Sequence, residues 1–415
     1  MASKLLEGIK SIENFALEDK RLFLRLDLNV PLDKSGMITD DTRIRAAMPT
    51  IQYAIDKGAK IILASHLGRP KGPDPEKKFS LEPVADYLNQ ALEKEIILVE
   101  EPRGRATKAL LAGLKPSQII LLENLRYDEG EEKNDREFAS RLAEITDIYI
   151  NDAFGASHRA HASIVALPEM IEKRGVGFLM RKELEVLDVI RSRPDSPFVT
   201  VLGGAKVSDK IEVIEAMLDK VDCMVIGGAM AYTFLSAQNI EVGSSLVEKD
   251  KVRFASDLIG RAQARGKKLL VPVDHKITKG ITDTASLKVT DSAAIPAGWM
   301  GVDIGPKTQA LYAKEMARAK TIFWNGPMGI FETAEFSEGT FGMAEAISSS
   351  SAFTVVGGGD SAAAAQASGL ADRFSHISTG GGASLEFLQG ERLPGVEVLR
   401  PPKRSEGQPD SGELK

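Results

Sequence analysis

The stretch that decides the architecture is Phe198-Val199-Thr200-Val201-Leu202-Gly203-Gly204-Ala205-Lys206, a short apolar and β-branched run that stops at a glycine pair and a lysine. Such a run, bounded by glycine, reads as a strand buried on both faces, as in a parallel sheet covered by helices. The pattern recurs downstream. Cys223–Ile226 precedes Gly227-Gly228-Ala229-Met230, Thr321–Trp324 precedes Asn325-Gly326-Pro327, and Phe353–Val356 precedes Gly357-Gly358-Gly359-Asp360. His376–Ser378 leads to Gly380-Gly381-Gly382, and Lys268–Val273 supplies a further strand. Upstream, the runs Leu22–Leu28, Lys60–Ser65, Ile96–Val99, Ile119–Leu122 and Asp147–Ile150 alternate with helix-like stretches. The class expected is α/β, with two doubly wound parallel-sheet lobes carrying helices on both faces.

The join between the lobes is readable. Leu179–Arg191 carries Met180, Leu184, Leu187 and Ile190 at the spacing of one helical face, and Pro194-Asp195-Ser196-Pro197 ends it. The expected division is a first lobe over 1–180, a linking hinge helix over 181–197 and a second lobe over 198–392, with the segment near 395–405 returning to the first lobe. Pro401–Lys415 is Pro, Gly, Ser and charge without apolar periodicity, so 406–415 reads as a disordered tail.

Composition narrows the function. The 415 residues are 43% hydrophobic and 27% charged, enough for sizeable cores. The net charge of −6 and pI near 5.6 argue against nucleic acid or an anionic membrane as partner. No apolar stretch approaches the ~20 residues needed to span a bilayer. Met1-Ala2-Ser3-Lys4 lacks the apolar core of a signal peptide, and the single cysteine, Cys223, sits in an apolar run as a core thiol. A cytoplasmic protein is the expectation.

Ligands of doubly wound sheets bind beyond the carboxyl ends of the strands, so those ends are where chemistry is sought. In the first half they read Asp27-Leu28-Asn29, His66-Leu67-Gly68-Arg69, Glu123-Asn124-Leu125-Arg126 and Asn151-Asp152-Ala153-Phe154; in the second they are the glycine turns. Guanidinium and imidazole groups suit a small, highly anionic molecule. Glycine turns opening helices suit the phosphates of a nucleotide. That contrast points to group transfer between a nucleotide and a small acid, with Lys206 and Lys210 as candidate phosphate ligands and Asp360 as a candidate carboxylate for Mg²⁺.

Six of these strings stand in register over almost the whole chain: Arg-Leu-Asp-Leu-Asn-Val-Pro (25–31), Ser-His-Leu-Gly-Arg-Pro (65–70), Leu-Glu-Asn-Leu-Arg (122–126), Asn-Asp-Ala-Phe-Gly-Ala-Ser-His-Arg-Ala-His (151–161), Trp-Asn-Gly-Pro (324–327) and Ser-Thr-Gly-Gly-Gly-Ala-Ser (378–384). Together they resemble the phosphoglycerate kinase family. The resemblance implies reversible transfer of the acyl phosphate of 1,3-bisphosphoglycerate to ADP, giving 3-phosphoglycerate and ATP, with Mg²⁺, by in-line transfer across a closing interdomain cleft in a monomer. It implies a triose site of Asp27, Leu28, Asn29, Arg43, His66, Leu67, Gly68, Arg69, Arg126 and Arg159. It implies a nucleotide site of Gly203, Lys206, Lys210, Gly227, Gly228, Gly301, Asn325, Pro327, Glu332, Gly358, Gly359, Asp360 and Ser361, with Asp360 also bearing on the metal. Arg43, Lys206, Gly381 and Gly382 would meet the moving phosphoryl group.

Rival readings are weaker. Gly357-x-Gly359-x-x-Ala362 loosely fits a dinucleotide fingerprint, but Ser378-Thr379-Gly380 stands where that motif expects an acidic residue. No Gly-x-x-x-x-Gly-Lys-Ser/Thr occurs. His158 and His161 invite zinc, yet no third ligand follows at zinc spacing. A nucleotide-binding protein that had lost its chemistry should show damage at Arg43, Lys206, Asp360 or the triple glycine, and all are present.

Overall fold

The computed structural model of the chain describes residues 6–70, 72, 77–100 and 105–401. These divide into two units, the first running to Leu184 and resuming at Arg392, the second covering Glu185–Glu391. In the first, strands β1 (Arg21–Leu26), β2 (Lys60–Ala64), β3 (Ile96–Val99), β4 (Ile119–Leu122), β5 (Ile148–Asp152) and β6 (Arg174–Val176) form a parallel sheet of order β3-β4-β2-β1-β5-β6. From β1 the chain steps to β2 on one side and returns at β5 on the other, so the order reverses between β1 and β5. Leu22, Leu24 and Leu26 pack with Ile44, Ala47, Ile51 and Ala54 of helix Thr42–Asp56 in one core. Each such leucine or isoleucine side chain removed from water contributes about 1.5–3 kcal/mol.

The second unit repeats the plan. Strands β7 (Phe198–Leu202), β8 (Cys223–Ile226), β9 (Lys268–Leu270), β13 (Thr321–Asn325), β14 (Phe353–Val356) and β15 (His376–Ile377) give a parallel sheet of order β15-β14-β13-β7-β8-β9, reversing between β7 and β13. Val199, Val201, Tyr312, Ile322, Trp324, Met343 and Val356 share its core. Between β9 and β13 lies a feature the sequence reading did not contain, an antiparallel sheet of β10 (His275–Thr278), β11 (Lys288–Val289) and β12 (Met300–Ile304). Its middle strand is polar yet buried, because neighbours satisfy it: His275 Nε2 is 3.1 Å from the Ala293 carbonyl, and the Lys276 ammonium pairs with Glu338. The strand expected to reach Val273 ends at Leu270, and β6, three residues with a central glycine, carries too little apolar signal to be read.

The helix expected over 179–191 spans Phe178–Ser192, with Met180, Leu184, Leu187 and Ile190 buried. The division between units falls inside it, between Leu184 and Glu185. The returning segment is stitched into the first unit by one backbone bond and one from the Arg400 guanidinium. Gly395 N donates to the Ser157 carbonyl at 2.9 Å, and Arg400 donates to the Glu7 carbonyl at 2.9 Å. The expected tail, 406–415, lies outside the described residues.

The start of that helix is tied to β5 and to helix Thr42–Asp56. Gly177 N donates to the Asn151 carbonyl at 3.0 Å, Phe178 N to Thr50 Oγ1 at 3.0 Å and Met180 N to Asp152 Oδ1 at 2.9 Å. Burial pushes the Asp152 carboxyl up to about 6, against the pull of donors at Met180, Thr50 and Leu179. The unfolded chain, with an aspartate near 3.9, releases this proton first, so the native state holds the extra proton and loses stability as pH rises from about 4 to about 6. Asp152→Asn lacks this titration. Thermal melts at pH 4.5 and 7 should show the variant gaining on the wild type by about 2 kcal/mol across that interval. A pH-independent difference would show that Asp152 is not protonated in the native state at the lower pH.

Candidate active site

In the first unit the strand-end residues form one hydrogen-bonded chain. Arg43, in the first turn of its helix, pairs with the Asp27 carboxylate that ends β1. Asn29 N reaches Asp27 Oδ1 at 3.4 Å, and Asn29 Oδ1 accepts from Gly68 N at 2.8 Å. Arg126 donates to the Gly68 carbonyl at 2.8 Å, and its Nε lies 3.2 Å from Glu132. Leu28 N is held by Ser65 Oγ at 2.9 Å, and Asn124 Nδ2 donates to the Leu67 carbonyl at 2.7 Å. The backbone at Leu28, Leu67 and Gly68 is thus fixed by side chains from neighbouring strand ends. Arg69 is exposed, and Arg159 lies 3.1 Å from His158 Nε2.

Three histidines sit among these cations and are held neutral. Burial first, then the Arg25, Arg126 and Arg43 guanidiniums, pushes His66 well below its ordinary value. The same causes, burial leading and Arg126, Arg25 and Arg159 following, bring His161 down to about 3, and His158 is lowered by burial and Arg159. Positive charge therefore resides on the arginines, while the imidazoles remain hydrogen-bonding groups near neutral pH.

In the second unit the turns after β7, β8 and β13 are zipped by backbone. Gly203 N donates to the Asn325 carbonyl at 3.0 Å, Gly204 N to the Pro327 carbonyl at 2.9 Å and Gly228 N to the Met328 carbonyl at 2.9 Å. Asn325 Nδ2 donates to the Gly357 carbonyl at 2.5 Å, and Gly326 N to Ser361 Oγ at 2.5 Å, which joins the turn after β14. The Lys210 ammonium contacts Asn325 Oδ1, and burial lowers its pKa against the opposing pull of Asp360. Lys206, Glu332 and Asp360 are exposed.

The glycines divide into two kinds. A Cβ on Gly203 would lie 2.1 Å from the Pro327 carbonyl, one on Gly227 2.3 Å from Met328 Sδ, and one on Gly228 2.5 Å from Gly204 N. Those glycines let the turns approach each other. Gly301 belongs with them, because Tyr232 Oη would be 2.0 Å from its Cβ. Around Gly359 and Gly381 the space is open, and they stand at the starts of helices Gly359–Ala367 and Gly382–Gln389. No neighbouring turn crowds these two glycines.

The Mg²⁺ expectation can be tested against this donor set. Among the described residues no group of three or more His, Cys, Asp or Glu side chains converges as a metal cage. Asp360, a single exposed carboxylate in the first turn of a helix, suits an ion that keeps its waters and shares substrate phosphates, which is how Mg²⁺ is usually held. The residues fit a nucleotide-borne ion.

Sequence reasoning passed over Arg25, Glu131 and Ser163, all fully buried beneath the basic cluster. Arg25 Nε donates to Ser163 Oγ at 2.7 Å, and Ser163 Oγ donates to Glu131 Oε1 at 2.6 Å. The one available signal was an arginine inside the apolar run Leu22-Phe23-Leu24-Arg25-Leu26.

Two parallel-sheet units, one ending its strands in cations and the other in glycine turns, define a two-unit α/β protein of doubly wound type. Comparison with known proteins specifies it. The phosphoglycerate kinase family model matches residues 12–391. The phosphoglycerate kinase of Bdellovibrio bacteriovorus is 58% identical over 395 residues, covering 95% of this chain and 98% of that one, and that of Anaeromyxobacter sp. strain Fw109-5 is 53% identical over 94% and 99%. The structure of phosphoglycerate kinase from Coxiella burnetii superposes with a TM-score of 0.85 at 41% identity, and that from Pyrococcus horikoshii OT3 with 0.82 at 34%, each covering 94% of this chain and 98% of the other. The chain belongs to the phosphoglycerate kinase family.

The packing glycines give a direct test. Gly228 has φ of +64° and no room for a Cβ against the Gly204 backbone. Gly228→Ala should cost roughly 2–4 kcal/mol through steric overlap and left-handed strain. A melting temperature within about a degree of wild type would show that the turns can separate cheaply.

Proposed function

We propose that the chain transfers the acyl phosphoryl group of 1,3-bisphosphoglycerate reversibly to ADP, as a cytoplasmic monomer, with the acid held by the first unit and the nucleotide by the second. The observation that carries this division is the contrast at the strand ends: a linked set of Asp27, Asn29, Gly68 and Arg126 with Arg43 in one unit, zipped glycine turns with Lys210 in the other. Among the described residues no helix is long and apolar enough to cross a membrane.

On this reading Asp27 and Asn29 take the hydroxyl and carboxylate of the acid, and Arg43, Arg69, Arg126 and Arg159 take its anionic oxygens, with neutral His66 as a hydrogen-bonding neighbour. Glu332 accepts from the ribose, Lys206 and Lys210 meet nucleotide phosphates, and Asp360 would hold Mg²⁺, which when bound neutralises phosphate charge. Transfer breaks the bond between phosphorus and the acyl oxygen as a β-phosphate oxygen of ADP forms the new one. The carboxylate departs without needing a proton, so no side chain serves as nucleophile or base. Positioning and charge stabilisation supply the catalysis. Arg43 and Lys206, with amides at Gly359–Ser361 and Gly381–Gly382, face the equatorial oxygens; the Gly380 amide is taken by Ser378 Oγ. The two ligands must meet, and closure about helix Phe178–Ser192 is part of the reading.

Arg43→Ala should lower kcat by roughly 10²–10³ while changing substrate binding much less, the usual result of losing one transition-state donor. Near-normal turnover would remove Arg43 from that role. Binary calorimetry tests the division of labour. Arg69→Ala should weaken 3-phosphoglycerate by about 10- to 150-fold, the loss of a forked ionic donor, and leave ADP alone. Glu332→Ala should weaken ADP and leave 3-phosphoglycerate alone. Loss of ADP binding in a folded Arg69→Ala protein would refute the division.

A further inference from the structure

Beneath the basic cluster lies one carboxylate with no path to solvent. Glu131 is 0% exposed, on a single helical turn, Glu129–Glu132, set by the Asp128 side chain accepting from Gly130 N at 2.8 Å. Its Oε2 accepts from Ser163 N at 2.9 Å, its Oε1 from Ser163 Oγ at 2.6 Å, and its main-chain carbonyl from Ala162 N at 2.8 Å. Arg25 NH2 lies 3.8 Å away and His161 Nδ1 4.0 Å away. Arg25 in turn reaches Ser163 Oγ, the Leu26 carbonyl at 2.5 Å and His66 Nδ1 at 3.4 Å. One buried carboxylate therefore joins β1, the segment that carries His158, Arg159 and His161, and the His66 turn.

We propose that Glu131 is a positioning residue for the acid site: it fixes the spacing of the groups that grip the substrate without touching it. The inference rests on the proposed function, since it concerns the site there assigned to the acid. Two physical points set it apart from a generic buried ion pair. First, its partners are all donors, so both oxygens must accept. An amide in its place would turn an NH2 group toward Ser163 N or Arg25, donor against donor, inside a region where an unmet donor is costly. Second, the surroundings are cationic. Arg25, Arg126 and Arg159 all depress the His161 pKa, and mutual repulsion drives such groups apart unless a counter-charge sits among them. Glu132, next in sequence, serves Arg126 from the half-exposed rim; Glu131 serves from within.

Glu131→Gln keeps the shape and removes the charge and one acceptor. Ser163→Ala is milder, removing the hydroxyl that accepts from Arg25 and donates to Glu131. Steady-state assays in the ATP-consuming direction should show KM for 3-phosphoglycerate raised tenfold or more in Glu131→Gln and several-fold in Ser163→Ala. KM for ATP should stay within twofold in both, and the double variant should be no worse than Glu131→Gln alone. A merely structural role would lower the melting temperature and the active fraction while leaving both KM values at wild type, and that result overturns the proposal. Should Glu131→Gln fail to fold, an unchanged acid KM in Ser163→Ala overturns it equally. A wild type that does not saturate with 3-phosphoglycerate refutes instead the functional reading on which the proposal rests.

Discussion

The mutual repulsion of like charges is the constraint under which the first unit is built. Arg25, Arg43, Arg126 and Arg159 lie close enough that each depresses the pKa of a neighbouring histidine or arginine. Holding these charges together in the free protein has a cost that folding must bear. The chain meets it with its own carboxylates, Asp27 on Arg43, half-exposed Glu132 on Arg126 and buried Glu131 beneath Arg25, and with neutral rather than protonated imidazoles. What remains is a basic surface with few degrees of freedom. Such preorganisation places charge stabilisation where a reaction can use it.

The second unit meets a different constraint. Amides can face a phosphate only if the turns that present them do not move, and here the turns after β7, β8, β13 and β14 brace one another through main-chain hydrogen bonds and the Asn325 and Ser361 side chains. Glycine is needed where turns touch, at Gly203, Gly227 and Gly228, and leaves open room at Gly359 and Gly381. The sequence presents all of these alike. Only the packing separates a glycine that serves a neighbouring turn from one that faces open space.

That distinction shows how far the sequence could be read. Strands buried on both faces, such as Phe198–Leu202 and Ile119–Leu122, announce themselves as continuous apolar runs, and the groups at their ends follow from topology. The small antiparallel sheet was not legible, because His275-Lys276-Ile277-Thr278 is buried by specific polar partners rather than by apolar character. Arg25, Glu131 and Ser163 escaped for a related reason. Arg25 and Ser163 are 138 positions apart, and no local periodicity links a strand arginine to a turn so distant. Only an arginine interrupting an apolar run hinted that a buried partner had to exist.

The central claim is that the cations of one unit and the glycine turns of the other serve a single phosphoryl transfer. Phosphorus NMR of the full chain with ATP, Mg²⁺ and 3-phosphoglycerate tests it most directly. The account predicts an acyl-phosphate resonance forming in step with ADP when hydroxylamine is absent; when it is present, hydroxylamine displaces that phosphate as inorganic phosphate, leaves the hydroxamate and draws further ADP formation. Conversion of ATP to ADP and free phosphate with neither acyl phosphate nor hydroxamate formed, or no turnover with both ligands demonstrably bound, would contradict it.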